Sequence, residues 1–268
     1  MNARATELLA IPLRAARRAG LAWGLSLAAL VVMTVAFWPA FQDQTELADL
    51  LEGIPEPMIE AFGMTDFTSP AGYLRGNLYA IMVPLFLAIA GVLLMNGQTA
   101  SDEDSGRMEQ YLAQPVSRQG VFLGRVIGVA TWVVFIGLLL LVAQLASNAV
   151  FGLDIATDRL LATVVLCLLI GLLHAGLAAF VAGLTGRPGL VLAVGMLVAV
   201  FGYVAAALFP LSDVLEPWKA VSPWDWALGH DPLVNATEWW RYLALGVPAF
   251  VLAGLGTWAF ARRDVHAA

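Results

Sequence analysis

Residues 160–212, LLATVVLCLLIGLLHAGLAAFVAGLTGRPGLVLAVGMLVAVFGYVAAALFPLS, contain a single charged side chain, that of Arg187. The charge-free runs on either side of it each exceed the roughly 20 apolar residues with which a helix crosses a hydrocarbon core of about 30 Å. The TGRPG sequence at 185–189 is typical of a tight turn, because Gly and Pro interrupt regular structure. This stretch therefore predicts two membrane-spanning helices joined by a short connection.

The same pattern recurs along the rest of the chain. Further runs without Asp, Glu, Lys or Arg cover 19–42, 76–101, 126–153 and 242–261. Charged residues make up only 13% of the sequence, about half of what a soluble domain carries. The runs are continuously apolar and do not alternate, which favours helices over a barrel. We predict an all-α polytopic membrane protein, a single domain over 1–268, with six transmembrane helices at approximately 20–40, 76–97, 120–149, 159–184, 188–210 and 242–261.

The distribution of charge predicts the orientation of these helices. If both termini are cytoplasmic, the inner segments contain ten of the fourteen basic residues and the outer segments fourteen of the twenty acids. This is the positive-inside pattern. The inner basic residues are Arg4, Arg14, Arg17, Arg18, Arg107, Arg118, Arg125, Arg187, Arg262 and Arg263. A strong preference for Arg over Lys is typical of GC-rich bacterial genomes, so we expect an integral protein of the bacterial plasma membrane.

Two segments outside the predicted helices have alternative interpretations. Residues 3–18 mix apolar and basic side chains, which favours a short interfacial helix kinked at Pro12 over a frayed basic tail. The outer loop 211–241 contains five of the nine tryptophans. Clustered Trp is typical of a membrane interface, so the loop is interpreted as an aromatic belt and cap, or as a segment that contacts the substrate directly.

Several kinds of chemistry have no support in the sequence. The only lysine, Lys219, lies in EPWKAV and cannot belong to a G-x-x-x-x-G-K-(S/T) phosphate loop. The three histidines are scattered, so a dedicated zinc site is not expected. His174 is interpreted as a packed histidine and not as part of an intramembrane hydrolase, and Cys167 as a buried thiol. We expect no catalytic residue, no metal and no nucleic-acid partner.

Deep within the spans, the sequence also lacks the intramembrane carboxylates and arginines that proton relays and ion pathways use. This argues against an ion-coupled transporter or a selective channel. A largely apolar passage would suit a hydrophobic or amphiphilic solute, with energy supplied from elsewhere.

Residues 98–119, QTASDEDSGRMEQYLAQPVSRQ, are the one long and strongly charged segment on the predicted inner side. We call this segment the charged loop. It predicts a helix over about 102–113, capped by Ser101, with three acids in the first turn and Pro115 after its end. Glu103 and Arg107 have the spacing of an i,i+4 ion pair. Met108, Tyr111 and Leu112 form a small apolar patch. The pattern fits a helix in a partner's groove or, equally, a solvated connection.

The segment SDEDSGRMEQYLAQPVSRQG, 101–120, resembles the inner loop of ABC-2 type transporter permeases. In that family an acidic stretch precedes the pattern G-(T/R)-x-E-x-L-L-x-x-P-(V/L)-S-R. Tyr111 stands where Leu is commoner. The six spans and the outer-loop sequence IPEPMIEAFGM at 54–64 are also similar to the family's plan. The matching residues are Gly106, Arg107, Glu109, Leu112, Pro115, Ser117 and Arg118.

The resemblance implies a permease subunit that pairs with a second permease subunit, as a homo- or heterodimer, within membrane lipids. Two separate ATP-binding cassette subunits would hold ATP and Mg, so this chain needs no cofactor of its own. The charged loop would be the coupling helix, and transport would be export of drugs, antibiotics or lipid-like molecules. The residues expected to couple to the ATPase are Asp102, Glu103, Asp104, Gly106, Arg107, Glu109, Leu112, Pro115 and Arg118. The alternative is an energy-independent membrane scaffold or facilitator without an ATPase partner.

Overall fold

The computed structural model describes residues 10–41 and 69–264, and every regular element within those ranges is helical. Within these ranges, six helices are long and apolar enough to cross a membrane, which confirms the predicted number. We label the main helices α1 (Arg17–Ala36), α2 (Met82–Gln98), α3 (Arg118–Phe151), α4 (Thr157–Thr185), α5 (Pro188–Leu208) and α6 (Trp239–Arg262).

Two spans begin earlier than the charge-free runs predicted. A short helix, Pro70–Leu74, and a π-helical turn, Arg75–Tyr79, precede α2, and α6 begins at Trp239. Arg75 comes directly before the charge-free run 76–101 and so set the predicted start of this span. Its guanidinium lies 3.1 Å from the carboxylate of Asp231. Arg241 similarly donates to the backbone oxygen of Trp226 at 2.9 Å. Both charges have partners, so the helices continue through them.

The α4–α5 hairpin forms as its sequence predicts. Gly186 ends α4 in the left-handed region at φ 64°, and Pro188 is the first residue of α5. Proline suits this position because a first-turn N–H has no helical partner, and glycine suits a positive φ because it has no Cβ.

Helix α4 lies at the centre of the bundle. It packs against α2, α3, α5 and α6, whereas α1 packs mainly on α3. Its closest neighbour is α6, where small residues bring the two backbones together. A Cβ added to Gly183 would lie 2.1 Å from the carbonyl oxygen of Gly256. Cys167, midway along α4, is fully buried, as predicted for a core thiol.

Helix α3 is longer than a bilayer requires. Its 34 residues span about 51 Å at 1.5 Å per residue. The side chain of Ser117 caps its first turn, accepting from the backbone N–H of Gly120 at 3.1 Å. Gly152, at φ 63°, ends it. Since the hydrocarbon core is about 30 Å thick, α3 extends beyond it or tilts strongly.

The predicted helix over 3–18 is only partly within the described residues, since 3–9 lie outside them. Residues 10–15 are helical, and a turn at Ala16 separates them from α1. Pro12 is buried close to Gly128 of α3. The indole N–H of Trp132 donates to the backbone oxygen of Leu13 at 3.0 Å. This segment is therefore packed against the bundle.

The two ends of the bundle differ in composition. We call the end where α2, α4 and α6 finish the basic end, and the opposite end the tryptophan-rich end. At the latter, a 3-10 helix, Glu216–Val221, and a helix, Pro223–Leu228, form within the predicted outer loop. Trp218 and Trp239 are exposed there, but Trp224 is only 2% exposed. The prediction that the basic end faces the cytoplasm continues to rest on the charge distribution.

Candidate functional site

The charged loop lies at the basic end and consists of two short helices. The first, Ala100–Asp104, follows α2 after a break at Thr99. The second is Arg107–Leu112, and Gly106 between them has φ 72°. A positive φ cannot continue a right-handed helix. The single helix predicted over 102–113 is therefore wrong in detail: it is divided at Gly106.

The first short helix directs two carboxylates into the protein. Asp102 is 9% exposed and Glu103 is 4% exposed. Carboxylates are almost never so buried unless a cation is paired with them. Both have such partners, on different membrane helices.

Asp102 connects the charged loop to α3. Its carboxylate accepts from the guanidinium of Arg125, a side chain that is 5% exposed. Arg125 also donates to the backbone oxygen of Gln98. The other carboxylate oxygen lies 2.7 Å from the guanidinium of Arg107. Asp102 therefore sits between two arginines.

Glu103 connects the charged loop to α6 and α4. Both of its carboxylate oxygens accept from the guanidinium of Arg263, each at 2.5 Å. Such two-point pairing gives the contact a fixed geometry. Arg263 also donates to the backbone oxygens of Gly183 at 2.8 Å and Ala182 at 3.2 Å. The predicted i,i+4 pair between Glu103 and Arg107 is thus not formed, because each has another partner.

Apolar contacts hold the second short helix in place. Met108 is fully buried, and Tyr111 and Leu112 are half-buried against the core. The ring of Tyr111 lies 4.9 Å from the guanidinium carbon of Arg125, a cation–π distance. The apolar patch predicted for a partner's groove is therefore largely used within this chain.

The remaining surface of the charged loop is polar and exposed. Asp104, Arg107, Glu109 and Gln110 lie on it. Pro115 and Arg118, in the connection to α3, are also exposed. Arg118 donates to the backbone oxygen of Arg263 at 2.7 Å, so it joins the start of α3 to the end of α6. We call Asp104, Arg107, Glu109 and Gln110 the exposed face.

The nine residues predicted for the site thus fall into distinct groups. Asp102 and Glu103 are buried and paired, Gly106 forms the break, and Leu112 packs inward. Asp104, Arg107, Glu109, Pro115 and Arg118 are exposed. Sequence reasoning missed the parts played by Arg125 and Arg263. Arg125 did carry a signal, because it lies within the otherwise apolar start of a span, where an arginine needs a partner.

The described residues contain no group of three or more His, Cys, Asp or Glu side chains that could hold a metal ion. Among the described residues, His174 forms its hydrogen bond within its own helix, between Nδ1 and the backbone oxygen of Ile170 at 2.8 Å. Its ring lies edge-on to Trp224, with centroids 5.6 Å apart. These contacts are those of a histidine packed between helices.

No curated protein matches the sequence. The family model for the ABC-2 family transporter protein matches residues 43–253, which is most of the chain. The protein is therefore a member of the ABC-2 transporter permease family, a multi-pass integral membrane protein that forms the membrane component of an ABC-type transport system.

Proposed function

We propose that this chain is an export permease, moving a hydrophobic or amphiphilic substrate such as a drug, an antibiotic or a lipid-like molecule across the bacterial plasma membrane. ATP and Mg would be held by two separate ATP-binding cassette subunits. A second permease subunit, identical or not, would complete the membrane core.

The observation that carries the proposal is the division of the charged loop into a buried and an exposed half. The exposed face presents both signs of charge and suits a polar contact with an ATPase subunit. The buried half is attached to three membrane helices through Asp102 and Glu103. A displacement of the exposed face is thereby transmitted to α3, α4 and α6.

This division changes the roles proposed for individual residues. Glu109 and Gln110 are exposed and are proposed to touch the ATPase. Asp102 and Glu103 are proposed to act as positioning residues, which hold the charged loop on the spans. Gly106 permits the change of direction between the two halves.

The absence of charge deep within the spans supports an apolar cargo. Among the described residues, the buried polar groups in the middle of the bundle are few, and one of them, Gln144, accepts from the hydroxyl of Tyr79 at 3.0 Å. A charged solute would meet no compensating charge there, and burying an unpaired charge is costly.

Photo-crosslinking from native membranes tests the proposal. A photoreactive residue at Gln110 should crosslink to a P-loop ATPase. The same residue at Asp213, which is exposed at the tryptophan-rich end, should not. If no ATPase accompanies the chain or crosslinks at Gln110, the energy-independent scaffold or facilitator is the correct function.

A further inference from the structure

A cavity of about 160 Å³ lies at the tryptophan-rich end, away from the charged loop. It is partly open and is lined by the residues before α2, by α4 and α5, and by the segment between α5 and α6. Its size is close to that of a protein cavity of about 150 Å³ that accepts benzene. It can therefore hold a small molecule, or one group of a larger molecule.

Three aromatic side chains, those of Tyr79, Tyr203 and Trp224, contribute to the cavity wall. Trp224 is held in place by Ser222, whose hydroxyl accepts from the backbone N–H of Trp224 at 3.1 Å and donates to the backbone oxygen of Gly202. Its own indole N–H is buried and has no hydrogen-bond partner among the described residues. Aromatic faces carry negative charge density and attract cations.

Most charged side chains in or near the wall form ion pairs, but one carboxylate does not. Arg75 pairs with Asp231 at 3.1 Å, and Lys219 pairs with Glu216 at 3.1 Å. Nearby, Arg241 lies 3.5 Å from Glu238. Asp225, by contrast, is half-buried and forms no ion pair within 4.0 Å among the described residues.

The environment of Asp225 is unfavourable to its charge. Burial raises the pKa of the Asp225 carboxyl, and the positive charges of Lys219 and Arg241 offset this only in part. A half-buried carboxylate without a direct cation is stabilised by any positive group that enters beside it. The wall thus combines aromatic side chains with one carboxylate that has no ion pair within 4.0 Å among the described residues.

We propose that this cavity binds a small organic cation, a quaternary or protonated amine, with the carboxylate of Asp225 as its counter-ion and the rings of Tyr79, Tyr203 and Trp224 as its walls. The cation is either a free small molecule or the head of a larger amphiphile. The proposal goes beyond the export function and does not depend on the charged loop.

Choline is a suitable probe of this cavity. The permease should be purified in a non-ionic detergent, because such a detergent contains no cation that would compete with choline. Calorimetric titration should show saturable binding of choline. Its uncharged isostere, in which carbon replaces the quaternary nitrogen, should bind far more weakly. Equal binding of the two compounds, or no saturable binding of choline, would overturn the proposal. So would binding of inorganic phosphate at the same site, since that would indicate an anion site around Arg75 and Lys219.

Variants locate the site. Asp225→Asn should weaken choline binding about tenfold or more, because it removes the counter-ion and keeps the shape. Asp213→Asn, an exposed carboxylate of the same segment outside the cavity, should leave binding unchanged. If Asp225→Asn does not fold, Tyr203→Leu gives a second test: it should weaken choline but not the isostere. Unchanged choline affinity in a folded variant of either kind would contradict the assignment.

The source of the cation is tested in the same assay. A decyl-chain trimethylammonium amphiphile that binds more tightly than choline, with the same dependence on Asp225, identifies an amphiphile head. Equal affinities identify a free small cation. Since no nucleotide or ATPase is present, failure here leaves the coupling proposal standing.

Discussion

Arg263, at the end of α6, binds both carboxylate oxygens of Glu103, a residue 160 positions earlier in the chain. The same guanidinium also binds two backbone oxygens at the end of α4. One side chain thus joins the charged loop to two membrane helices. Gly186 lies against this pair, and a Cβ there would come within 2.8 Å of both side chains.

Removing either partner of this pair should destabilise the fold. Arg263→Gln leaves the Glu103 carboxylate buried without a cation, which costs about 3 kcal/mol in a buried site. Glu103→Gln leaves the guanidinium unpaired. Thermal unfolding of the solubilised protein should show a lower midpoint for each single variant. The double variant should be less destabilised than the sum of the two, and strict additivity would contradict the direct pairing.

The charge-free runs predicted six spans correctly because lipid imposes a simple rule on composition. The rule was less accurate at Arg75 and Arg241, where a charge lies inside a helix but has a partner. Those partners, Asp231 and the backbone around Trp226, come from distant segments. Nothing in the local sequence indicates them.

The sequence predicted where the candidate site lies in the chain, but it did not predict which side chains contact each other there. The charged loop was identified by composition and motif, yet local spacing paired Glu103 with Arg107. The structure gives Glu103 a partner on α6. Helical spacing predicts only contacts along one helix. Because the chain breaks at Gly106, Glu103 and Arg107 lie on two different helices, and the i,i+4 spacing does not apply to them. The division into buried and exposed halves depends on tertiary packing.

The close contact between α4 and α6 gives a second prediction, on stability. A Cβ at Gly256 would lie 2.4 Å from the backbone oxygen of Ala179. Gly256→Ala should therefore force the helices apart and cost about 1–3 kcal/mol. Gly254→Ala is a matched control on the same helix, because its Cβ would meet nothing within 4 Å. Gly254→Ala should be neutral or slightly stabilising. Equal unfolding temperatures for the two variants would contradict the packing.

The predicted orientation can be checked with single cysteines. Cys167 is fully buried and can be replaced by Ala to give a background without thiols. Asp213→Cys, at the tryptophan-rich end, should react with a membrane-impermeant maleimide on intact cells. Gln114→Cys, in the charged loop, should react only after permeabilisation. The opposite labelling would place the basic end outside, where the charged loop could not contact a cytoplasmic ATPase subunit.

The tryptophan-rich end should lose stability in mild acid through His230. Burial, followed by the nearby charge of Arg241, lowers the pKa of this histidine from 6.5 to about 4. The unfolded chain therefore takes up a proton at a higher pH than the folded one. The stability of the fold is greatest above the unfolded pKa and decreases as the pH falls towards about 4. Unfolding followed by tryptophan fluorescence should show this decrease, and His230→Asn should reduce it.

A charge reversal on the exposed face tests coupling without disturbing the fold. Asp104 lies on the exposed face, so Asp104→Lys should leave expression and unfolding temperature close to those of the unaltered protein. At the ATPase contact it places the opposite charge, and we expect stimulated ATP hydrolysis to fall roughly tenfold. Asp213→Lys is the matched control, since it makes the same change of charge at the opposite end of the bundle.

Reversal at Glu103 is not equivalent, because it would break the pair with Arg263 and lower the stability of the whole bundle. Full ATPase stimulation in Asp104→Lys would mean that the nucleotide-binding subunit contacts some other surface of the permease.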